Sequence, residues 1–289
     1  MNYVTKILLD ELVWGESPRW HERKLWFSDI FGKKVMNVDF SGKAESVVDV
    51  PNLPSGLGWL PDGRLLIVSG DGRILRQDPS GLSAVTDLSK LAVGINDMVV
   101  DHKGRAYVGS YGYDVRSYKP DQEVEAWITL VTPEGDVRVV ADKMICPNGM
   151  VITSDGNMLI AADTFAKQLV AFNIEEDGSL TGRRVWAYME AGPDGICIDA
   201  EGAIWAATPN RGEVIRLREG GEVTHRIKVS TTPLACMLGG PERRTLFIVT
   251  VDAHNDLDVD TLSNPEAAQI KRGSRIEVVD VEVPGAGLP

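Results

Sequence analysis

The chain has 289 residues, a formal net charge of −12 and 25% charged residues. A balance this acidic excludes electrostatic attraction to nucleic acid or to an anionic membrane. No long apolar run and no basic segment followed by an apolar one marks a membrane span or a secretory signal. Three cysteines, Cys146, Cys197 and Cys236, are too few and odd in number for a disulfide framework. The expectation is a cytoplasmic chain with reduced thiols, its cysteines acting as buried small apolar residues.

Taken in chain order, six strand-length apolar segments recur: KLWFSD, RLLIVS, RAYVGS, NMLIAA, AIWAAT and TLFIVT. Aligned on Leu25, Leu65, Ala106, Met158, Ile204 and Leu246, they are spaced 40, 41, 52, 46 and 42 residues apart. Each follows a turn of Asp, Gly or Pro, such as LPDGR, DHKGR, TSDGN and DAEGA, and before that turn lies another apolar run. A third run follows each anchor: KKVMNVDF, RILRQD, ITLVTP, QLVAFNI, EVIRLR and RIEVVDV. A period in the forties with several short strands per copy predicts an all-β, six-bladed β-propeller with four-stranded antiparallel blades. Residues 1–289 are expected to form one domain, with the first strand of each blade innermost and the N-terminal TKILLDEL closing the last blade.

Counting back ten residues from each anchor, or nine in the first copy where the turn is shorter, gives Glu16, Ser55, Asn96, Asn148, Asp194 and Cys236. Around an axis these positions form a ring. Two carboxylates and two amide carbonyls are hard oxygen donors with a combined charge of about −2, which one divalent cation neutralises. Calcium is the first expectation, with magnesium, manganese or zinc as alternatives. Asn and Asp before a strand also initiate turns, as in PNG, NDM and PDG. Turn chemistry does not explain why they share a register with Glu16. Ser55 and Cys236 are expected as channel lining, since neither has a histidine in register to activate it.

GESPRW at 15–20, ICPNGM at 145–150 and PDGICIDAEGAIWAA at 193–207 resemble motifs of the senescence-marker/regucalcin/gluconolactonase family. The likeness continues through SDIFGKKV, ADTFAKQLVAF and TTPLACMLGG, so it covers most of the chain in order. The resemblance implies a six-bladed propeller holding one divalent metal ion at the top of its channel, and hydrolysis of a lactone. It places Glu16, Asn148 and Asp194 as metal ligands, Asn96 as a substrate contact or a further ligand, and Asp194 as the proton-accepting base. A metal-bound hydroxide is the alternative to that base. The implied chemistry is polarisation of the lactone carbonyl by the cation and attack by water.

One departure bears on substrate. Sugar-lactonase members commonly carry an arginine two residues before the Asn matched by Asn96, where this chain has Gly94. Losing a five-donor guanidinium enlarges the pocket and removes polar recognition, which points to a less polar lactone or ester. Alternatively, Gly94 serves a local backbone conformation and another residue supplies the donor.

The longest repeat carries SYGYDVRSYKPDQEVEAW, where Tyr111, Tyr113, Arg116 and Tyr118 are candidates for a wall or lid over the site. The same residues would equally form a partner surface or pin the loop to its blade. The last repeat contains DAHNDLDVDTLSNPEAAQIKRG, expected as a solvated acidic loop. Asp256, Asp258 and Asp260 there lack the Gly and Glu of an EF-hand, and His254 is a candidate for the pocket rim. No GxSxG, HExxH or paired CxxC is present. The competing function is a non-catalytic, calcium-binding or scaffold propeller, because the fold alone decides no activity.

Overall fold

The computed structural model describes residues 3–252 and 273–289. Apolar residues at alternate positions, cut every five to seven residues by Gly- or Asp-bearing turns, give short strands that pair as hairpins. Blade 1 comprises β2 (Gly15–His21), β3 (Lys24–Asp29), β4 (Lys34–Val38) and β5 (Ala44–Asp49), with β1 (Lys6–Leu12) preceding it. Blade 2 is β6 (Pro54–Trp59), β7 (Leu65–Ser69), β8 (Arg73–Asp78) and β9 (Gly81–Asp87). Blade 3 is β10 (Gly94–Val100), β11 (Ala106–Tyr111), β12 (Ala126–Val131) and β13 (Val137–Met144). Blade 4 is β14 (Pro147–Ile152), β15 (Met158–Asp163), β16 (Gln168–Ile174) and β17 (Leu180–Tyr188). Blade 5 is β18 (Ile196–Ile198), β19 (Ile204–Thr208), β20 (Glu213–Leu217) and β21 (Val223–Lys228). Blade 6 takes β22 (Thr232–Gly239), β23 (Thr245–Val251) and β24 (Ser274–Asp280), and its outermost strand is β1.

Six four-stranded antiparallel sheets result, and the only helical elements among the described residues are single 3₁₀ turns at Val115–Ser117 and Pro209–Arg211. The architecture is the six-bladed propeller expected from the repeat. Each anchor segment is the second strand of its blade. The first strands β2, β6, β10, β14, β18 and β22 touch one another in turn and close a ring around the axis. Their approach is close: a Cβ on Gly149 would lie 2.7 Å from the Ile196 nitrogen, and one on Gly195 2.3 Å from the Ala235 Cβ. Small residues are required there.

The ring of blades is sealed from the N-terminal side. β1 pairs antiparallel with β24, as in Lys6↔Val278 and Leu9↔Ile276, so the last blade borrows a strand from the start of the chain. Leu12, Phe27, Phe247 and Ile276 are buried in one apolar cluster that spans this closure. Ile276→Val is expected to cost about 0.5–1.5 kcal/mol in a urea titration, the usual loss for one buried methyl group. No loss would mean that the seam is loosely packed.

Beyond β24 the chain laces across the far ends of two innermost strands. Asp199 bridges Gly285, and Ile152 bridges Leu288 with both backbone bonds at 2.9 Å. The opposite end, where the first strands begin, is the end that carries Glu16.

Candidate functional site

The first strands are irregular where they begin. Register shifts separate Glu16 from Arg19, Pro54 from Leu57, Ile95 from Met98 and Pro147 from Met150 against their partners. Each bulge frees residues from the ladder and re-aims a side chain. Glu16, Ser55, Asn96 and Asn148 lie at or within these bulges. Asp194 stands two residues before β18, its N–H donating to the Ala207 carbonyl at 3.0 Å. All five are half-buried, and all but Asn96, which follows the half-buried Ile95, stand between buried neighbours. Ser17, next to Glu16, is held at φ 50°, a left-handed conformation that costs a non-glycine residue energy.

The sixth position differs from the sequence expectation. Cys236 is 2% exposed, with its Sγ 3.4 Å from the Trp205 carbonyl and 3.9 Å from the Cys197 Sγ, inside a core cluster. The reason is the hairpin after β22, where Gly239 pairs with Thr245 across a longer turn, so counting ten residues back falls two residues short. The equivalent residue is Leu234, in Pro233-Leu234-Ala235. That tripeptide parallels Pro193-Asp194-Gly195, and the Leu234 carbonyl accepts from the Gly195 N–H at 2.8 Å. The prolines of PSGL, PNGM, PDGI and PLAC carry this alignment in the sequence itself.

Electrostatically the ring is under-satisfied. Burial, followed by repulsion from the Asp194 carboxylate, pushes the Glu16 carboxyl well above its ordinary range, against a pull from the Ser17 N–H donating at 2.8 Å. Burial likewise raises Asp194 to about 7, opposed by a hydrogen bond from Asn148 and reinforced by Asp97. Neither carboxylate makes an ion pair among the described residues. Asn148 spends its Nδ2 on Thr164 Oγ1 at 3.2 Å, and Thr164 donates to the Pro193 carbonyl at 2.7 Å, bracing the residue before Asp194. That leaves the Asn148 Oδ1 without a protein donor among the described residues. Asn96 is tied more tightly: Ser55 Oγ donates to its carbonyl at 3.0 Å and lies 3.4 Å from its Oδ1.

A divalent cation fits this donor set. Two mutually repelling carboxylates and an unengaged amide oxygen are what a hard ion requires. No group of three His, Cys, Asp or Glu side chains suited to a metal stands among the described residues, so the amide oxygens are needed to complete any site.

Beneath the ring lies a buried ion pair that the sequence pattern did not disclose. Arg19 meets Asp97 at 2.6 Å, and its guanidinium also donates to the carbonyls of Leu57, Pro18 and Met98 at 2.8–3.0 Å. It thereby ties blades 1, 2 and 3 together below Glu16. At Glu16 the two charges act in opposite directions, Asp97 raising and Arg19 lowering its proton affinity.

Gly94, Asn96, Tyr111, Tyr113, Arg116 and Asn148 share one cleft of about 530 Å³. Its roles divide as follows. Tyr111 is buried, its hydroxyl donating to the Pro147 carbonyl at 2.9 Å, and the Tyr113 hydroxyl donates to the Ile145 carbonyl at 2.8 Å. Arg116 bonds Asp114 through Nε at 2.8 Å and Nη2 at 2.9 Å. Tyr118 stacks on Phe165 of the next blade, with centroids 4.4 Å apart and planes 6° from parallel. The excursion is shorter than the sequence suggested, because Ser110 and Tyr111 belong to β11 and Ala126 and Trp127 to β12. The backbone explanation for Gly94 fails, since its φ is not in the left-handed region. His254, Asp256, Asp258 and Asp260 lie outside the described residues. All three cysteines are free and buried, and no helix among the described residues is long and apolar enough to cross a membrane.

Propeller and ring together define a β-propeller protein with an oxygen-donor site at one end of its channel. The chain belongs to the SMP-30/Gluconolactonase/LRE-like family, which matches residues 14–252. It is 29% identical to the regucalcin of Danio rerio over 265 residues, covering 88% of each chain. It is 25% identical to the 6-deoxy-6-sulfogluconolactonase of Pseudomonas putida over 289 residues, covering 96% of this chain and 94% of that one. Its fold is shared with the crystal structure of a calcium-binding protein, regucalcin, from Agrobacterium tumefaciens, with a TM-score of 0.80, 23% identity and coverage of 100% and 97%.

Proposed function

We propose that the protein hydrolyses a lactone or related ester at the channel end, with Glu16, Asn148 and Asp194 holding one divalent cation and Asn96 completing the shell or meeting the substrate. The observation that carries this reading is the pair of buried carboxylates, Glu16 and Asp194, raised in proton affinity and lacking a cationic partner among the described residues. Relatives named as a sulfogluconolactonase and a pentonolactonase support the reaction class. Calcium is the favoured ion because every donor is an oxygen.

A cation held there supplies Lewis-acid polarisation of the lactone carbonyl. Asp194 accepts the proton of the attacking water from its place beside Glu16 and Asn148, and a cation bound to it would lower its proton affinity below that of the metal-free protein. Glu16 is fixed by the Ser17 N–H and Asn148 by Thr164, so both present their oxygens without reorganisation. The Tyr111 and Tyr113 rings wall the cleft on the side of blade 3.

The test is hydrolysis of aldonolactones, aliphatic lactones and aryl esters before and after exhaustive chelation. Turnover is expected to vanish on chelation and return with calcium. Turnover indifferent to chelator would remove the cation from the reaction. Tight calcium binding with no hydrolysis across the panel would instead favour a non-catalytic calcium-binding propeller.

A further inference from the structure

Resting on the lactone reading, we propose that the substrate carries an apolar substituent, an alkyl or aryl arm on the lactone ring, and that Gly94 provides the room for it. Gly94 pairs with Tyr111 at the start of β10, and nothing in its backbone demands glycine. A Cβ there would meet only the Tyr111 ring, at an ordinary 3.5 Å, so the missing side chain leaves open space in the cleft. Around that space stand Val93, Ile95, Val115 and Phe165. Val93 is 67% exposed and Phe165 38% exposed, large apolar surfaces left facing the mouth of the cleft.

The hydroxyl groups of the same wall are already spent within the protein. The hydroxyls of Tyr111 and Tyr113 donate to the carbonyls of Pro147 and Ile145. Arg116 is bound by Asp114, Thr164 donates to Pro193, and the Cys146 Sγ lies 3.8 Å from the Tyr111 hydroxyl. A polyhydroxylated ring pressed against the face made by Val93, Ile95, Val115, Phe165 and the two tyrosine rings would lose its water shell there with no free hydroxyl of that face to replace it among the described residues. Each hydroxyl so stranded weakens binding by about five- to a hundredfold. An apolar arm gains instead, by about fourfold in affinity per methylene buried. The wall therefore selects an alkyl or aryl lactone over an aldonolactone.

The experiment compares δ-decalactone, δ-valerolactone and glucono-δ-lactone with calcium supplied. In the wild-type protein kcat/KM for δ-decalactone is expected to exceed that for glucono-δ-lactone by at least about tenfold. Gly94→Leu is expected to lower the ratio of kcat/KM for δ-decalactone to that for δ-valerolactone by about tenfold, because its side chain occupies the arm's space. Calorimetry with two non-hydrolysable six-membered lactams, one bearing a pentyl arm and one bare, reads the subsite without turnover. The pentyl lactam is expected to bind about tenfold tighter to the wild-type protein and with near parity to Gly94→Leu. If Gly94→Leu does not fold, Phe165→Ala carries the same comparison, with a severalfold loss confined to the pentyl compound. A wild-type preference for glucono-δ-lactone, or equal affinity for the two lactams, overturns the proposal. Selective binding of the pentyl lactam without hydrolysis of any lactone supports the subsite and sinks the lactone-hydrolysis reading.

Discussion

Asp194→Asn is expected to lower kcat/KM by about 10²–10⁴-fold, the usual loss when a positioned proton acceptor is removed, and to weaken calcium binding at the same time. The same substitution is expected to stabilise the metal-free protein. Asp194 is raised in the fold to about 7 from an ordinary value of 3.8, because burial and the Asp97 carboxylate oppose its charge. A carboxyl raised in this way is unfavourable wherever it must ionise. The folded state binds its proton more tightly than the unfolded chain, so stability falls as pH rises from about 4 through about 7 and then levels. At pH 8 the uncharged Asn avoids that cost, a gain of about 1–3 kcal/mol after allowance for the partial opening of the site to solvent. At pH 4 wild type and variant should unfold alike. Thermal unfolding of chelated samples at both pH values, beside lactone kinetics, checks the two effects together. Lower stability of the variant at pH 8 would show that the carboxylate is held by favourable contacts and is not strained by an absent cation. Adding calcium should reverse the order, since only the wild-type protein retains the full charge that binds it.

Part of the site is legible in the sequence alone. Hard-oxygen residues at one register of a repeat are conspicuous because the residues beside them, such as Gly149 and Gly195, are constrained by close packing of the first strands. Strand order was equally open to reading for the second strand of each blade, which runs apolar and is mostly buried. The fourth strands were less visible: β5, β9 and β21 are largely half-buried or exposed, and sequences such as AESVVD and GLSAVTD carry little apolar signal. In blade 6 that place is filled from the other end of the chain, by the KILLDEL segment expected to close the ring. Counting failed at Cys236 for a local reason. A fixed offset presumes equal turns, and the GGPERRT hairpin is longer than PDG or SDG. The motif's own proline would have located Leu234. The Thr164 brace and the hydroxyl bonds of Tyr111 and Tyr113 join different strands and loops, and no periodicity encodes partners brought together only by the fold.

Arg19→Met is expected to cost about 3–5 kcal/mol, the penalty for leaving one member of a buried ion pair without its partner. Arg19 and Asp97 are 3% and 7% exposed, so water cannot replace the lost contact. The arginine also serves three backbone carbonyls on three blades, and each loses a charge-assisted donor when the guanidinium goes. A second effect falls on the site. Asp97 opposes ionisation of both Glu16 and Asp194, while Arg19 favours that of Glu16. Removing the arginine leaves the aspartate's repulsion uncompensated, so protons compete better with calcium and its affinity near neutral pH should drop. Replacing both residues, Arg19→Met with Asp97→Leu, should recover much of the stability because no buried charge remains, and it also removes the repulsion at the ring. Chemical denaturation and calcium titration of the two single variants and the double variant resolve the pair's contribution. Additive losses across that cycle would mean that Arg19 stabilises the three blades through its carbonyl bonds alone. A recovery in the double variant would identify the ion pair as the element that sets both the joint between blades and the charge balance beneath the site.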